Sequence, residues 1–283
     1  MSNEKDQKEG SSVHSGKREI EIYSSKLISR GLELVKAIEQ KQKEGVVYGD
    51  LSSEVIEALK QAIRINPDYA VAHFNLGLTY DELGRYNEAI EAYKQAIRID
   101  PDDAEAHSNL GVSLGKLDRY SEAVEACKQA IRINPNYSST HKSLGVVYDA
   151  LGRHSKALEV CKQAIKINPD DSSAHNNLGV VYKNLGRYNE AIEAYKQAIK
   201  INPDDSSTHK ILGVVYYKLN RYREAVEAFK MAIQIMPSDA DAHYGLGLVY
   251  LKVKDKSMAI KQHKILKNLD VEKADELFKE IYE

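Results

Sequence analysis

Residues 172–205 read SSAHNNLGVVYKNLGRYNEAIEAYKQAIKINPDD. Apolar side chains at 174, 178, 181, 182 and 185 recur at helical rather than strand spacing. The spacing predicts a first helix over 174–185, stopped by Gly186, a residue that accepts a left-handed backbone. A second helix is predicted over 190–201, with Ala191, Ile192, Ala194, Tyr195, Ala198 and Ile199 on its buried side. It ends at Asn202, because the residue before a proline is pushed out of the helical region. Small residues at Gly179, Ala191 and Ala198 let the two helices approach closely.

The unit is written repeatedly. Pro67, Pro101, Pro135, Pro169, Pro203 and Pro237 are all the prolines of the chain, and consecutive ones are 34 residues apart. Glycine keeps the same step at 77, 111, 145, 179, 213 and 247, and so does alanine at 89, 123, 157, 191, 225 and 259. The stop position holds Gly84, Asp118, Gly152, Gly186, Asn220 and Lys254; all but the last tolerate the left-handed conformation. Asn87, Ser121, Ser155 and Asn189 follow it, and they are residue types that cap helix starts. A lone two-helix hairpin cannot bury its apolar faces, so the units must stack.

With Leu178-Gly179, Tyr182, Ala191, Tyr195, Ala198 and Pro203 in a helix-turn-helix of 34 residues, the sequence resembles the tetratricopeptide repeat (TPR) family. The resemblance implies an all-α fold, a right-handed α-solenoid of stacked helix-turn-helix TPR units with a C-terminal capping helix. Residues 68–271 divide into six repeats, at about 70–103, 104–137, 138–171, 172–205, 206–239 and 240–271. The sixth departs from the pattern at Lys254, His263 and Leu266, as a terminal unit does. Residues 17–67 read as a degenerate N-terminal helical unit, in which 51–65 matches a second helix. Its partner is a predicted helix over 17–43, which either caps the solenoid or binds a partner. Residues 272–283 form the capping helix, with Ala274, Leu277, Phe278 and Ile281 on one face.

Composition narrows the function. The formal net charge of −2 argues against a nucleic-acid binder, which carries a basic excess. No apolar run reaches the roughly 18 residues of a membrane span. Residues 1–16 lack an apolar core and read as a disordered polar tail, not a secretory signal. Two cysteines without such a signal suggest a reducing, cytoplasmic setting. Eighteen tyrosines against three phenylalanines mean that aromatic packing must tolerate a hydroxyl at its edge.

Histidine recurs at 73, 107, 141, 175, 209 and 243. Equivalent residues of stacked units lie about 10 Å apart, too far to share a metal whose imidazole ligands sit about 2.0–2.1 Å from it. No second histidine or carboxylate stands at i+4, and no nucleophile accompanies them. They read as packing residues, with a ring nitrogen bonded to backbone or water. Cys127 and Cys161 occupy the site of Tyr93, Tyr195 and Phe229 and read as core fillers. No catalytic, metal or cofactor set emerges, and the expectation is a non-enzymatic protein.

The resemblance further implies that first helices line a concave groove. The partner-binding candidates there are Asn75, Asn109, Lys142, Asn176, Asn177, Lys183, Lys210, Tyr217 and Lys218. The asparagines at the sixth repeat position resemble a ladder that some TPR superhelices present to peptide backbones, and an amide both donates and accepts there. The same residues equally fit a solvated face. The lysines suggest an acidic segment over the third to fifth units. Lys142 and Asn177 match two positions of a chaperone-type carboxylate clamp, but Val146, Ser207 and Ile211 replace its other polar residues, so that specificity is not implied. The expected function is a protein-interaction scaffold or adaptor binding extended protein or peptide segments; the alternative is a self-assembling helical-repeat protein.

Overall fold

The computed structural model describes residues 25, 26, 29 and 49–283, so the predicted tail and nearly all of the predicted 17–43 helix lie outside the described residues. The described residues form fourteen helices and no strand. They are α1 (Gly49–Ile65), α2 (Ala70–Glu82), α3 (Tyr86–Ile99), α4 (Ala104–Lys116), α5 (Tyr120–Ile133), α6 (Ser138–Ala150) and α7 (His154–Ile167). Then follow α8 (Ser172–Asn184), α9 (Tyr188–Ile201), α10 (Ser206–Lys218), α11 (Tyr222–Ile235), α12 (Ala240–Lys252), α13 (Lys256–Leu269) and α14 (Val271–Tyr282). The architecture is an α-solenoid of helix-turn-helix units. The chain forms two compact bodies, divided between Val147 and Tyr148 within α6. In the first, α2 pairs with α3 and α4 with α5; in the second, α8 pairs with α9, α10 with α11 and α12 with α13. No helix among the described residues is long and apolar enough to cross a membrane.

The turn inside each hairpin rests on one backbone conformation. Gly84, Asp118, Gly152, Gly186, Asn220 and Lys254 all have positive φ, between 58° and 73°. At Gly186 the helix-stop bonds run from Gly186 N–H to Lys183 C=O at 3.0 Å and from Arg187 N–H to Tyr182 C=O at 2.8 Å. The Arg187 guanidinium lies 4.7 Å from the Tyr182 ring centroid, and Arg85 and Arg221 repeat this on Tyr80 and Tyr216.

The predicted caps at Asn87, Ser121, Ser155 and Asn189 are corrected here. The second helices start earlier, at Tyr86, Tyr120, His154 and Tyr188, so these residues sit inside the first turn. The boundary residues Arg85, Arg119, Arg153 and Arg187 make no side-chain cap. Instead Arg85, Arg119 and Arg187 donate to Glu88, Glu122 and Glu190 one turn on. Side-chain caps appear at first helices: Asp103, Asp171, Asp205 and Asp239 accept from backbone N–H groups of α4, α8, α10 and α12.

The histidines have a structural task. In each case Nε2 lies 2.9–3.1 Å from the carbonyl oxygen of the proline six residues upstream: His73 to Pro67, His107 to Pro101, His141 to Pro135, His175 to Pro169, His209 to Pro203 and His243 to Pro237. A carbonyl only accepts, so Nε2 must carry the hydrogen. Each histidine therefore ties the first helix of a unit to the end of the helix before it.

The hairpin core is set by a close approach. A Cβ built on Gly179 would stand 2.5 Å from Tyr195 Cε1, and one on Gly77 would stand 2.6 Å from Tyr93 Cε1. At Gly111 the neighbour is Cys127 Sγ, again at 2.5 Å. Cys127 and Cys161 are 0% and 1% exposed, and burial pushes both thiols up to about 12. On α14, Ala274, Leu277 and Ile281 are buried, and Leu277 fills the space over Gly247. Phe278 departs from the predicted face: it is 47% exposed, with its ring tilted 42° against that of Tyr282 at 4.6 Å between centroids.

Chemical denaturation of Gly179→Ala should show a loss of about 1–3 kcal/mol from overpacking against the Tyr195 ring. Gly115→Ala meets only Val147 Cγ2 at 3.5 Å and should be neutral or stabilising. Lys254→Gly, at φ 64°, should gain about 1 kcal/mol by relieving the left-handed lysine. Neither thiol should react with a disulfide reagent at pH 8 in the native protein, and both should react after unfolding; fast native labelling would contradict the burial.

Candidate functional site

In the second body a cleft of about 510 Å³ opens between α10 and α12. Its walls are Ile211, Val214, Tyr217, Tyr244 and Leu248, and the Phe229 ring of α11 reaches its floor. Phe229 is only 1% exposed, and the Gly245 backbone packs directly on its ring, since a Cβ there would stand 2.5 Å from Phe229 Cζ. Three of the sequence-predicted residues, Lys210, Tyr217 and Lys218, meet at this cleft. The volume lies within the about 300–1,000 Å³ of ligand pockets, and the lining pairs apolar walls with a few polar groups, as such pockets do.

Electrostatics separates the lysines. Lys210 Nζ lies 2.9 Å from Asp239 Oδ2 and 3.3 Å from Asp241 Oδ2. Asp241 is also bridged by Lys273 of α14 at 3.4 Å, and Lys273 binds Asp270 at 2.8 Å. Burial alone would lower the Lys210 pKa, but Asp239 and Asp241 more than offset it and hold it above its usual value. Lys210 is thus spent on joining α10 to α12. Lys218 is exposed, leans back over the Tyr188 ring at 6.0 Å and has no carboxylate partner among the described residues. Lys183, half-buried on α8, likewise has none among them.

The predicted asparagines divide in the same way. Asn176 donates its amide to Thr208 Oγ1 on α10, so it joins two units instead of facing a ligand. Thr140 repeats the contact on Ser108 at 2.9 Å. The threonines at 140 and 208, where other units carry alanine, are the sequence signal for this bond. The amide of Asn75 donates to Val71 C=O of its own helix at 2.7 Å. Asn109 and Asn177 are half-buried, and neither amide has a side-chain hydrogen bond among the described residues. Asn75, Asn109 and Lys142 belong to the first body and do not line the cleft described above. Lys142 is half-buried on α6.

The first body also carries clefts among its described residues. One, about 260 Å³, is bounded by Val112, Gly115, Lys116, Tyr120, Ser143 and Val146, at repeat positions overlapping those of the α10–α12 cleft. Another, about 650 Å³, lies among α1, α2 and α3 and contains none of the predicted residues; among its rim charges, Glu88 pairs with Arg85 and Arg64 with Glu57. The α10–α12 cleft is therefore the better candidate.

One polar cluster distinguishes the two bodies. Tyr93 donates to Asp81 at 2.9 Å, and Ser113 donates to the same carboxylate at 2.7 Å. Burial raises the Asp81 pKa above the usual carboxylate range, against the lowering effect of these two donors. The equivalent residues of the fourth and fifth units are Lys183, Tyr195 and Val215. The Tyr195 hydroxyl is accordingly buried without a partner. Sequence reasoning missed this, although the exchange of Asp81 for Lys183 signals it. No group of three or more His, Cys, Asp or Glu among the described residues is arranged to hold a metal.

Comparison with known proteins agrees with the repeat. A model described as TPR repeat matches 80–118, 147–186 and 213–254; tetratricopeptide repeat models match 104–137, 172–205 and 58–91. The structure of PilF from Pseudomonas aeruginosa is similar, at 21% identity over 75% of this chain and 97% of that one, with a TM-score of 0.65. A thermophilic TPR protein of Thermus thermophilus shares 27% identity over 64% of this chain and 99% of its own, with a TM-score of 0.56. YrrB, described as a TPR protein with an unusual peptide-binding site, shares 24% over 66% and 96%, with a TM-score of 0.51. No curated protein matches the chain.

Tyr93→Phe removes a donor from a buried carboxylate and should cost about 1–3 kcal/mol, whereas Tyr195→Phe deletes an unpaired hydroxyl and should be neutral or stabilising. Paired urea titrations check this; equal losses in both variants would contradict the contrast.

Proposed function

As this chain belongs to the tetratricopeptide repeat family, whose models together match more than half of it, we propose that it is a non-enzymatic scaffold that binds an extended segment of a partner protein. Tetratricopeptide repeats generally mediate protein–protein interaction. The observation that supports the finer reading is the cleft between α10 and α12, where Ile211, Val214, Tyr217, Tyr244 and Leu248 leave an apolar recess beside an unpaired lysine. Burying that lining against an apolar side chain supplies affinity of about 25 cal/mol per Å² removed from water. Helices on both sides fix the recess before binding, so little ordering entropy is lost. The peptide-binding site described for YrrB supports the reading only as an analogy of fold.

The predicted acidic ligand keeps a narrower basis. Lys210 is neutralised by Asp239 and Asp241, so of the lining lysines Lys218 is the one without a carboxylate partner among the described residues, and Lys183 stands one unit upstream on α8. A second reading, self-association, draws on the terminal helix, where Val271, Phe278 and Tyr282 are 65%, 47% and 55% exposed. Light scattering tests it, and a monomer mass independent of concentration would dismiss it.

The cleft reading is tested with Val214→Arg, at a wall position that is 39% exposed and so tolerant of substitution. Partners crosslinked to the wild-type chain should be lost by at least about tenfold in the variant, about 1.4 kcal/mol, at unchanged thermal stability. Equal capture by both proteins would refute binding at this cleft.

A further inference from the structure

The two edges of the α10–α12 cleft carry opposite charge. On the upstream edge Lys218 reaches back toward the preceding unit, with its Nζ 6.0 Å from the Tyr188 ring centroid. Lys183 stands on the preceding first helix, α8, at the repeat position of Tyr217. Neither is paired with a carboxylate among the described residues. On the downstream edge α14 packs against α12, where Lys273 bridges Asp241 at 3.4 Å and Leu277 lies over Gly247. Glu276 and Glu280 follow Lys273 by three and seven residues, on the same face of α14 as that bridge and beside the wall residue Tyr244. Burial, the two glutamate charges and a hydrogen bond to Glu276 raise the pKa of the Tyr244 hydroxyl. Both glutamates are exposed, and neither has a cationic partner among the described residues. Between the edges Lys210 and Lys273 bracket Asp239, Asp241 and Asp270, which leaves one net negative charge on the side of α14.

A cleft with cations on one rim and carboxylates on the other imposes a direction on whatever crosses it. Like-charge contact is repulsive at either edge, so only one orientation of a charged segment is favoured. The apolar recess over Phe229 lies between the rims and takes one bulky side chain. Resting on the peptide-binding reading above, we infer that the cleft selects an oppositely charged, three-part motif: an acidic residue over Lys183 and Lys218, a large apolar or aromatic residue in the recess, and a lysine or arginine over Glu276 and Glu280. The terminal helix thus does more than close the core beneath it. It supplies one half of the specificity, from a position outside the matched repeats.

A random peptide library displayed on phage, selected on the full chain, tests the inference. The wild-type pool should hold a bulky apolar residue with acids enriched on one side of it and bases on the other. Lys183→Glu/Lys218→Glu should switch the acidic side to basic, and Glu276→Lys/Glu280→Lys should switch the basic side to acidic. Each switch should amount to about tenfold in residue enrichment. None of the four exchanged residues has an ion pair among the described residues, and Lys218, Glu276 and Glu280 are exposed, so both variants should remain folded by circular dichroism. A pool whose apolar residue is lost on Val214→Arg but whose charges are unordered, or do not switch, would overturn the directional motif and leave peptide binding standing. A pool indifferent to Val214→Arg, or no enriched pool at all, would overturn both.

Discussion

Everything in the fold depends on how closely the first helix of a unit approaches the side chain at the centre of its second helix. At Gly179 and Tyr195 there is no room for even one more carbon atom. That contact brings the helix backbones together, so the remaining alanines, such as Ala191 and Ala198, are large enough to complete the core. The same position takes Tyr93, Cys127, Cys161, Tyr195 or Phe229. The choice of ring or thiol then decides what reaches the first-helix side. A tyrosine needs a hydroxyl partner, a cysteine needs none, and the phenylalanine can serve as the floor of a cleft.

The period, the hairpin and the helix stops were legible in the sequence because each depends on interactions within about thirty residues that recur in register. Positive φ at 84, 118, 152, 186, 220 and 254 follows the residue types read there, except Lys254, which adopts it at the cost of strain. Helix starts were less legible. Asn87 and its equivalents have the chemistry of caps, but the left-handed residue directly before Arg85 starts the helix early, and an Arg–Glu pair takes over the first turn.

The lining of the cleft was partly legible, and its electrostatics were not. Lys210, Tyr217 and Lys218 share a cleft because their spacing places them on one face of a single first helix. That Lys210 is neutralised was hidden, because its partners Asp239 and Asp241 are 29 and 31 residues away and pair with it only after stacking. Asn176 misled for the same reason: its acceptor, Thr208, belongs to the next unit. Contacts between units follow the geometry of stacking, which a single unit does not encode.

The histidine-to-proline bonds have a consequence for how such a chain changes over generations. Each bond spans six residues across the junction of two units, from the proline closing one to the first helix of the next. A gain or loss of one whole unit therefore carries a complete tether with it and leaves the others unaltered. A gain or loss that falls inside one of these six-residue spans severs its tether. Growth or shrinkage by whole units therefore leaves every junction as it was, and the length of the array is free to vary.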